Sequence, residues 1–398
     1  MTAAAPPLVF DPFDYAMHED PYPTYARLRA EAPVYRSPRL GFWALSRHAD
    51  VKAAFRDAAR YSNKHGVALD PDAFSPEAER GASFLAMDPP RHDRLRALVS
   101  RGFTLRRVAA LEPRIRAIAV EHLEACAGRE RWDAIDDFAG KLPMDVMSDL
   151  LDLPRADRET LRGWADTVVH REQGVTGRPA AAGVAAMELM RYFGRTIGAR
   201  RARPGDDLVS ALLVAEIDGD RLSEQEILGF MFLMVIAGSE TTTKLLGNAL
   251  YWLWRNPDQR QRLRQDPSRI AQWVEETARY DNSTQALARL LTVDTELHGH
   301  TMRAGDMVVL LVGSANRDEA VFADAARYDL LRDTTHTLAF GHGTHFCLGA
   351  ALARLEGRLA LEELWRRLPD FAIDMAASAR VHSVNVRGFA HLGMIGRI

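Results

Sequence analysis

The chain has 398 residues, 47% of them hydrophobic and 26% charged, and a net charge of −3. This balance is ordinary for a globular protein and excludes the strong basic field that nucleic acid or an anionic membrane surface selects. Its two cysteines, Cys126 and Cys347, are far apart and offer no disulfide framework, and no run of about 20 apolar residues predicts a membrane span.

In chain order, the opening MTAAAPPLVFDPFDY has no basic segment followed by an apolar run. Neither a signal peptide nor an anchor is expected there, and the protein is expected in the cytoplasm. PYPTYARLRAEA (21–32) carries prolines suited to a first helical turn. A short strand pair is predicted at VYRS and GFWALS, turning near Gly41. Residues 62–90 read as irregular, and helices dominate from Arg91 to Arg203 with breaks near Gly128, Pro154 and Gly174–Pro179.

Ser223 with Glu226 three residues on forms a capping-box pattern, which predicts a helix over Glu224–Arg255. Such a helix is about 48 Å long at 1.5 Å per residue, and its all-round apolar stretch from Ile227 to Ile236 places it through the protein centre. Another helix is expected over Pro267–Tyr280, then strands at ALARLLTV and DMVVLLV, a long irregular stretch over 316–346, a helix after Cys347 and a β-rich tail. Repeats and flexible linkers are absent from this reading, so residues 1–398 are expected to form one mainly α unit with small β-sheets.

The stretch FGHGTHFCLGAALA (340–353) sets Cys347 among Gly341, Gly343 and Gly349, with His342 and His345 just upstream. Free N–H groups at the helix start are expected to favour a thiolate. Three readings stay open on these residues alone. They are a structural buried cysteine, a zinc site built with His342 and His345, and a haem iron held by one thiolate.

The run Phe340-Gly341-His342-Gly343-Thr344-His345-Phe346-Cys347-Leu348-Gly349 resembles the haem-binding signature of the cytochrome P-450 superfamily. The resemblance extends along the chain. Ala237-Gly238-Ser239-Glu240-Thr241-Thr242 looks like the family's oxygen-activation segment, and Glu276 with Arg279 like its buried Glu-x-x-Arg pair. It implies the cytochrome P-450 fold, with haem b (iron protoporphyrin IX) between the long central helix and the cysteine-bearing helix. Cys347 would be the metal ligand, and Phe340, Gly341, Leu348, Gly349, Ala237 and Gly238 would line the cofactor. Glu240 and Thr241 would be catalytic, the acid relaying protons and the hydroxyl placing them; Gly238 would leave room for oxygen. Arg327 would complete the Glu276–Arg279 cluster.

The two haem propionates need cations, which the resemblance assigns to His92, Arg96, Arg289 and His345. Pocket lining is expected from the segments holding Leu85 and Met87, Val169 and Gln173, Leu233 and Ala237, Ala286 and Leu287, and Phe389. Segments 65–90 and 174–183 would act as lids. The implied reaction is monooxygenation of an apolar small molecule (terpenoid, steroid or fatty-acid-like) with O2. Electrons would come from a ferredoxin with an NAD(P)H-dependent ferredoxin reductase, because the haem fold uses the whole chain and leaves no fused reductase. Arg94, Arg101, Arg354 and Arg358 would form the docking patch. A monomer is expected, with neither nucleic acid nor a membrane anchor. The rival reading is a catalytically silent haem-thiolate module for binding or recruitment. Two departures from the family pattern stand out: Asn282-Ser283-Thr284 where Ser-Pro is common, and Leu392-Gly393 in place of Leu-Pro.

Overall fold

The structure is a computed structural model and describes residues 7–70, 73–101, 103–172 and 177–398. Strands β1 (Val34–Arg36) and β2 (Trp43–Leu45) pair antiparallel around Gly41, whose φ of 75° is a conformation glycine adopts at little cost. Helix α1 (His48–Arg56) leads to β3 (Tyr61–Ser62), and α2 (Arg91–Ser100) follows the irregular stretch. Beyond β4 (Arg131–Asp133) come α3 (Lys141–Leu150), α4 (Arg158–Val169) and α5 (Ala180–Ala202). The chain breaks at Gly128, with φ 79°, and at Pro154, as expected; Gly174 of the third break and Gln173 of the pocket segment lie outside the described residues.

The capping box is formed. Ser223 Oγ accepts from the Glu226 N–H at 3.2 Å and the Glu226 carboxylate accepts from the Ser223 N–H at 2.8 Å. It opens α6 (Glu224–Arg255), with the bounds the sequence predicts. Next come α7 (Ile270–Tyr280), β5 (Leu287–Leu291), β6 (Met307–Leu310), α8 (Ala350–Arg367), β7 (Ala372–Arg380) and β8 (Phe389–Ile395).

One sheet has the order β1-β2-β6-β5-β3, with β6 parallel to β2 and antiparallel to β5, so Val309 faces both Ala44 and Ala288. A second sheet has the order β7-β8-β4. The largest apolar core surrounds α6 and takes in side chains of α3, α4, α5, α7 and α8. Trp273 on α7 is fully buried there and donates from Nε1 to the Ala249 carbonyl of α6 at 3.0 Å. Two smaller apolar clusters cover the faces of the first sheet.

Buried charge ties the segments together. Asp281, past the end of α7, accepts hydrogen bonds from Tyr22, Trp252 and Arg387, each at 2.7 Å, and pairs with Arg380 at 3.5 Å. Burial alone would raise the pKa of this carboxyl, but Arg387 and Arg380 outweigh it and hold the group well below the usual carboxylate range.

Both departures from the family pattern have a local account. The Ser283 carbonyl accepts from the Arg387 N–H at 2.8 Å and Thr284 bridges Val386, so the tail itself fixes the backbone there. The Gly393 N–H donates to Ser378 Oγ at 3.0 Å, a bond that proline could not make.

Candidate active site

The cysteine loop is shaped by main-chain constraints. Gly341 and Gly343 sit at φ 73° and 69°, and the Cys347 N–H closes back on the Phe340 carbonyl at 2.9 Å. A Cβ on Gly343 would lie 2.6 Å from the Phe55 carbonyl, so the loop rests directly on the end of α1. Helix α8 begins at Ala350, and the Gly349 and Ala350 N–H groups point back at the Cys347 sulfur. The sulfur is reachable by solvent although protein surrounds it. Here the structure corrects an expectation. Burial pushes the Cys347 thiol up by more than those N–H groups, Arg96 and Arg354 bring it down, so the helix start alone does not make a thiolate. A metal would, by displacing the proton.

The basic residues beside this loop lack partners. His92, on α2, gives Nδ1 to Asp93 at 2.8 Å, but its Nε2 is buried without a hydrogen bond among the described residues, as are both ring nitrogens of His345. The two rings are 4.3 Å apart, and the Met87 carbonyl beside His345 lies outside hydrogen-bond geometry. Burial, reinforced by Arg289, His92 and Arg96, pushes the His345 pKa down to about 2. Arg289 on β5 is fully buried, donates to the neighbouring Ala288 carbonyl at 2.7 Å and lies over the Phe55 ring at 5.4 Å; burial lowers it to about 10. Arg96 lies over the Phe84 ring at 5.9 Å, with no carboxylate paired to it among the described residues. Of these four, Arg96 and Arg289 are the standing cations, and among the described residues neither makes an ion pair with a carboxylate, which suits an anion.

On α6, Ala237 is exposed and Leu233 and Thr241 are half-buried. Spaced four residues apart, they form one stripe along an otherwise buried helix. Phe340, Gly341, Leu348 and Gly349 are half-buried around the cysteine. Thr241 Oγ1 donates to the Ala237 carbonyl at 2.7 Å. Glu240, one position earlier, turns off this stripe and pairs with Lys244 at 3.4 Å. An exposed cysteine, an apolar stripe and a basic cluster with two arginines not paired to a carboxylate among the described residues fit a dicarboxylate porphyrin. The zinc reading gains no support. Among the described residues, the group of three ligand side chains close enough to share an ion is Asp133, Asp136 and His391, without Cys347, His342 or His345.

Several expected placements are corrected. Gly238 does not open space over the stripe; a Cβ there would meet Met147 of α3 at 3.0 Å, so this glycine serves helix–helix contact. Glu276 and Arg279 pair at 2.7 Å, but Arg327 supplies that cluster only its carbonyl, while its exposed guanidinium reaches toward Asp258 at 3.7 Å. The side chain that joins Glu276 is Arg332, at 3.3 Å. The resemblance pointed to Arg327; Arg332 is instead held beside Glu276, donating also to the Ala323 and Asp324 carbonyls. Ala286 is buried against the N-terminal segment with Phe10 and Tyr25, and Phe389 is core, packed on Tyr251 at 5.1 Å with Arg380 over its ring at 3.9 Å. Ala286 lies just before β5, while Phe389 opens β8, paired with Arg380. Val169 lines a cavity beside Glu240 instead. Leu85 and Leu287 are half-buried and Met87 is buried.

The expected docking cations are mostly spent. Arg94 pairs with Asp220 and Glu226, Arg354 with Glu275, and Arg358 with Glu112 and Glu362. Sequence reasoning missed Lys52 and Arg56 on α1, whose charges act on His342 of the cysteine loop. The contact of Gly343 with α1 brings them there, and no sequence pattern announces it.

Comparison with known proteins agrees with this geometry. The family model described as Cytochrome P450 matches residues 188–369. Cytochrome P450 123 of Mycobacterium tuberculosis is 54% identical over 388 residues, covering 97% of this chain and 96% of its own. Vitamin D(3) 25-hydroxylase of Pseudonocardia autotrophica is 39% identical over 389 residues, covering 96% and 95%. Among solved structures, CYP109E1 from Bacillus megaterium in complex with testosterone superimposes with a TM-score of 0.88 at 32% identity, covering 96% of this chain and 99% of that one.

Proposed function

The chain belongs to the cytochrome P450 family, and from that premise we propose that it hydroxylates an apolar small molecule of steroid or terpenoid bulk. The protein is a haem-dependent monooxygenase that uses O2 and a redox partner. Two similarities support the substrate class: one relative is named for hydroxylating vitamin D3, and one structural neighbour holds testosterone. The apolar stripe Leu233–Ala237 suits the same chemistry.

When bound, haem b would supply the oxygen chemistry by which one atom of dioxygen enters a C–H bond. In this reading Cys347 would hold its iron. His92, Arg96, Arg289 and His345 answer the propionates. Thr241 is the hydrogen-bonding hydroxyl on the cofactor side of α6; letting go of the Ala237 carbonyl frees it to donate. Glu240 relays the proton that Thr241 positions, and the ion pair with Lys244 fixes the carboxylate that receives and passes it. An intact acid–hydroxyl pair favours catalysis over a silent recruiting module.

The redox partner is a ferredoxin served by an NAD(P)H-dependent reductase, its acidic face meeting Lys52, Arg56 and Arg101 on the cysteine side. The protein is a cytoplasmic monomer in this reading; no helix among the described residues is long and apolar enough to cross a membrane. The observation that carries the proposal is the basic cluster beside Cys347, in which Arg96 and Arg289 have no carboxylate paired to them and the His92 Nε2 and both His345 ring nitrogens have no hydrogen bond among the described residues. The test is the spectrum of reduced protein under carbon monoxide, with steroid and terpenoid alcohol formation assayed after reconstitution. A thiolate-type Soret band that Cys347→Ser abolishes is expected; its absence from the unsubstituted protein overturns the reading.

A further inference from the structure

Glu240 does not face solvent directly, so its proton needs a route. A cavity of about 320 Å³ opens beside it, away from the Leu233–Ala237–Thr241 stripe. Its titratable and charged lining comes from every neighbouring element: Arg162, Asp166 and His170 at α4, Asp136 before α3, Lys244 beside Glu240 on α6, and His391 on β8. Arg162 is already engaged with Glu159 and Asp136, and His391 with Asp133 and Asp136. Glu240, buried, and Asp166, exposed, both line this cavity, and their carboxyls act on each other through a side-chain hydrogen bond and charge.

Two observations make this contact informative. Glu240 Oε2 is buried and accepts no hydrogen bond among the described residues. Lys244, 3.4 Å away, supplies the charge that holds Glu240 ionised, and it is itself pinned, since a Cβ on Gly388 would lie 2.4 Å from the Lys244 Cβ. A carboxylate cannot donate to another carboxylate; a carboxylic acid can.

We propose that Asp166 and Glu240 share one proton at the floor of this cavity, and that Asp166 is the group that resupplies Glu240 after each transfer. This rests on the reading of Glu240 as the proton relay of a monooxygenase. The step balances simply. The Asp166 O–H bond breaks as its proton passes to the Glu240 carboxylate, and the resulting Asp166 carboxylate is reprotonated from bulk buffer acid, cavity water relaying the proton and ending unchanged. Electrostatics agree in sign. Burial, then the hydrogen bond and charge of Glu240, raise Asp166 to about 8; burial also works against Glu240, but Lys244, the bond to Asp166 and Arg162 together keep it low. The pair titrates as a unit, holding its proton below that pH and losing it above.

The test is infrared spectroscopy of the haem-loaded protein at pH 7, read in the carbonyl stretch of protonated carboxyls. Glu356, fully buried and without a partner, gives one such band in every variant and serves as the internal reference. A second band is expected in the unsubstituted protein. Asp166→Asn should remove it, and so should Glu240→Gln, because Asp166 then ionises. Turnover should fall about tenfold in Asp166→Asn, part of what a proton-transfer group contributes. The decline above about pH 8 should disappear from that variant, and Asp166→Glu should restore both. A second band that survives Glu240→Gln, or an Asp166→Asn enzyme with an unchanged band pattern and pH profile, overturns the proposal. A missing thiolate-type spectrum in the unsubstituted protein strikes the reading of the haem site instead, and the infrared result still decides whether the proton is shared.

Discussion

Glu276 and Arg279, one helical turn apart on α7, clasp each other through two parallel hydrogen bonds of 2.7 Å with both side chains fully buried. The remaining capacity of each is taken up. Arg279 donates to the carbonyls of Asn316, Ala325 and Arg327, and Glu276 accepts from the Asp329 N–H at 2.9 Å. Glu276→Gln leaves a buried guanidinium uncompensated and is expected to cost about 3–5 kcal/mol. Urea unfolding should show this, with Arg332→Ala also destabilising and Arg327→Ala within about 0.5 kcal/mol of the parent. Equal effects at 327 and 332 would contradict the assignment of Arg332 as the third member.

Arg289 is expected to hold the cofactor without setting its axial ligand. Arg289→Leu should keep the thiolate-type carbon monoxide band yet weaken haem retention about 10- to 100-fold, the worth of a charge-assisted hydrogen bond. Haem transfer to an apo-globin measures it. Loss of the thiolate band in this variant would show that the arginine shapes the cysteine loop instead.

Two glycines separate flexible from rigid contact. Gly238→Ala meets the terminal methyl of Met147, which can swing aside, so the cost should be about 1 kcal/mol with the spectrum unchanged. Gly388→Ala meets Lys244 at Cβ, Cγ and Cα, where no such escape exists, and should cost about 3 kcal/mol or more and disturb the Lys244–Glu240 pair. Thermal unfolding ranks them; the reverse order would refute the packing argument.

Two buried carboxyls predict opposite pH responses. Asp281 has a folded pKa below its unfolded one, so its contribution is present above the unfolded pKa and lost as pH falls toward the folded value. Glu356 is raised by burial, so it burdens the folded state increasingly as pH climbs past the unfolded carboxyl range. Glu356→Gln should therefore gain stability relative to the parent at pH 8 compared with pH 5, while Asp281→Asn should lose more at pH 7 than at pH 3. Melting temperatures across that range check both signs.

Much of this was readable from residues alone. The capping box at Ser223 and Glu226 and the apolar run after it fixed the bounds of α6, because local hydrogen bonding and burial agree there. The cysteine motif announced its loop because two glycines must adopt positive φ. What failed depended on long-range placement. Phe389 is as apolar as any pocket residue, and only the β7–β8 pairing turns it toward Tyr251. Arg94 looks like a free surface cation until the fold brings Asp220 and Glu226 to it. Asp166 gave no signal at all, since its meaning comes from an acid 74 positions away on another helix.

The seat of Gly343 on the Phe55 carbonyl has a consequence for drift in sequence. The platform under the sulfur is peptide backbone, so residues decorating α1 are free to change hands over generations, provided the helix survives. Lys52 and Arg56 stand on that same helix, so the charge set beside the cysteine loop can change without moving the backbone on which Gly343 rests.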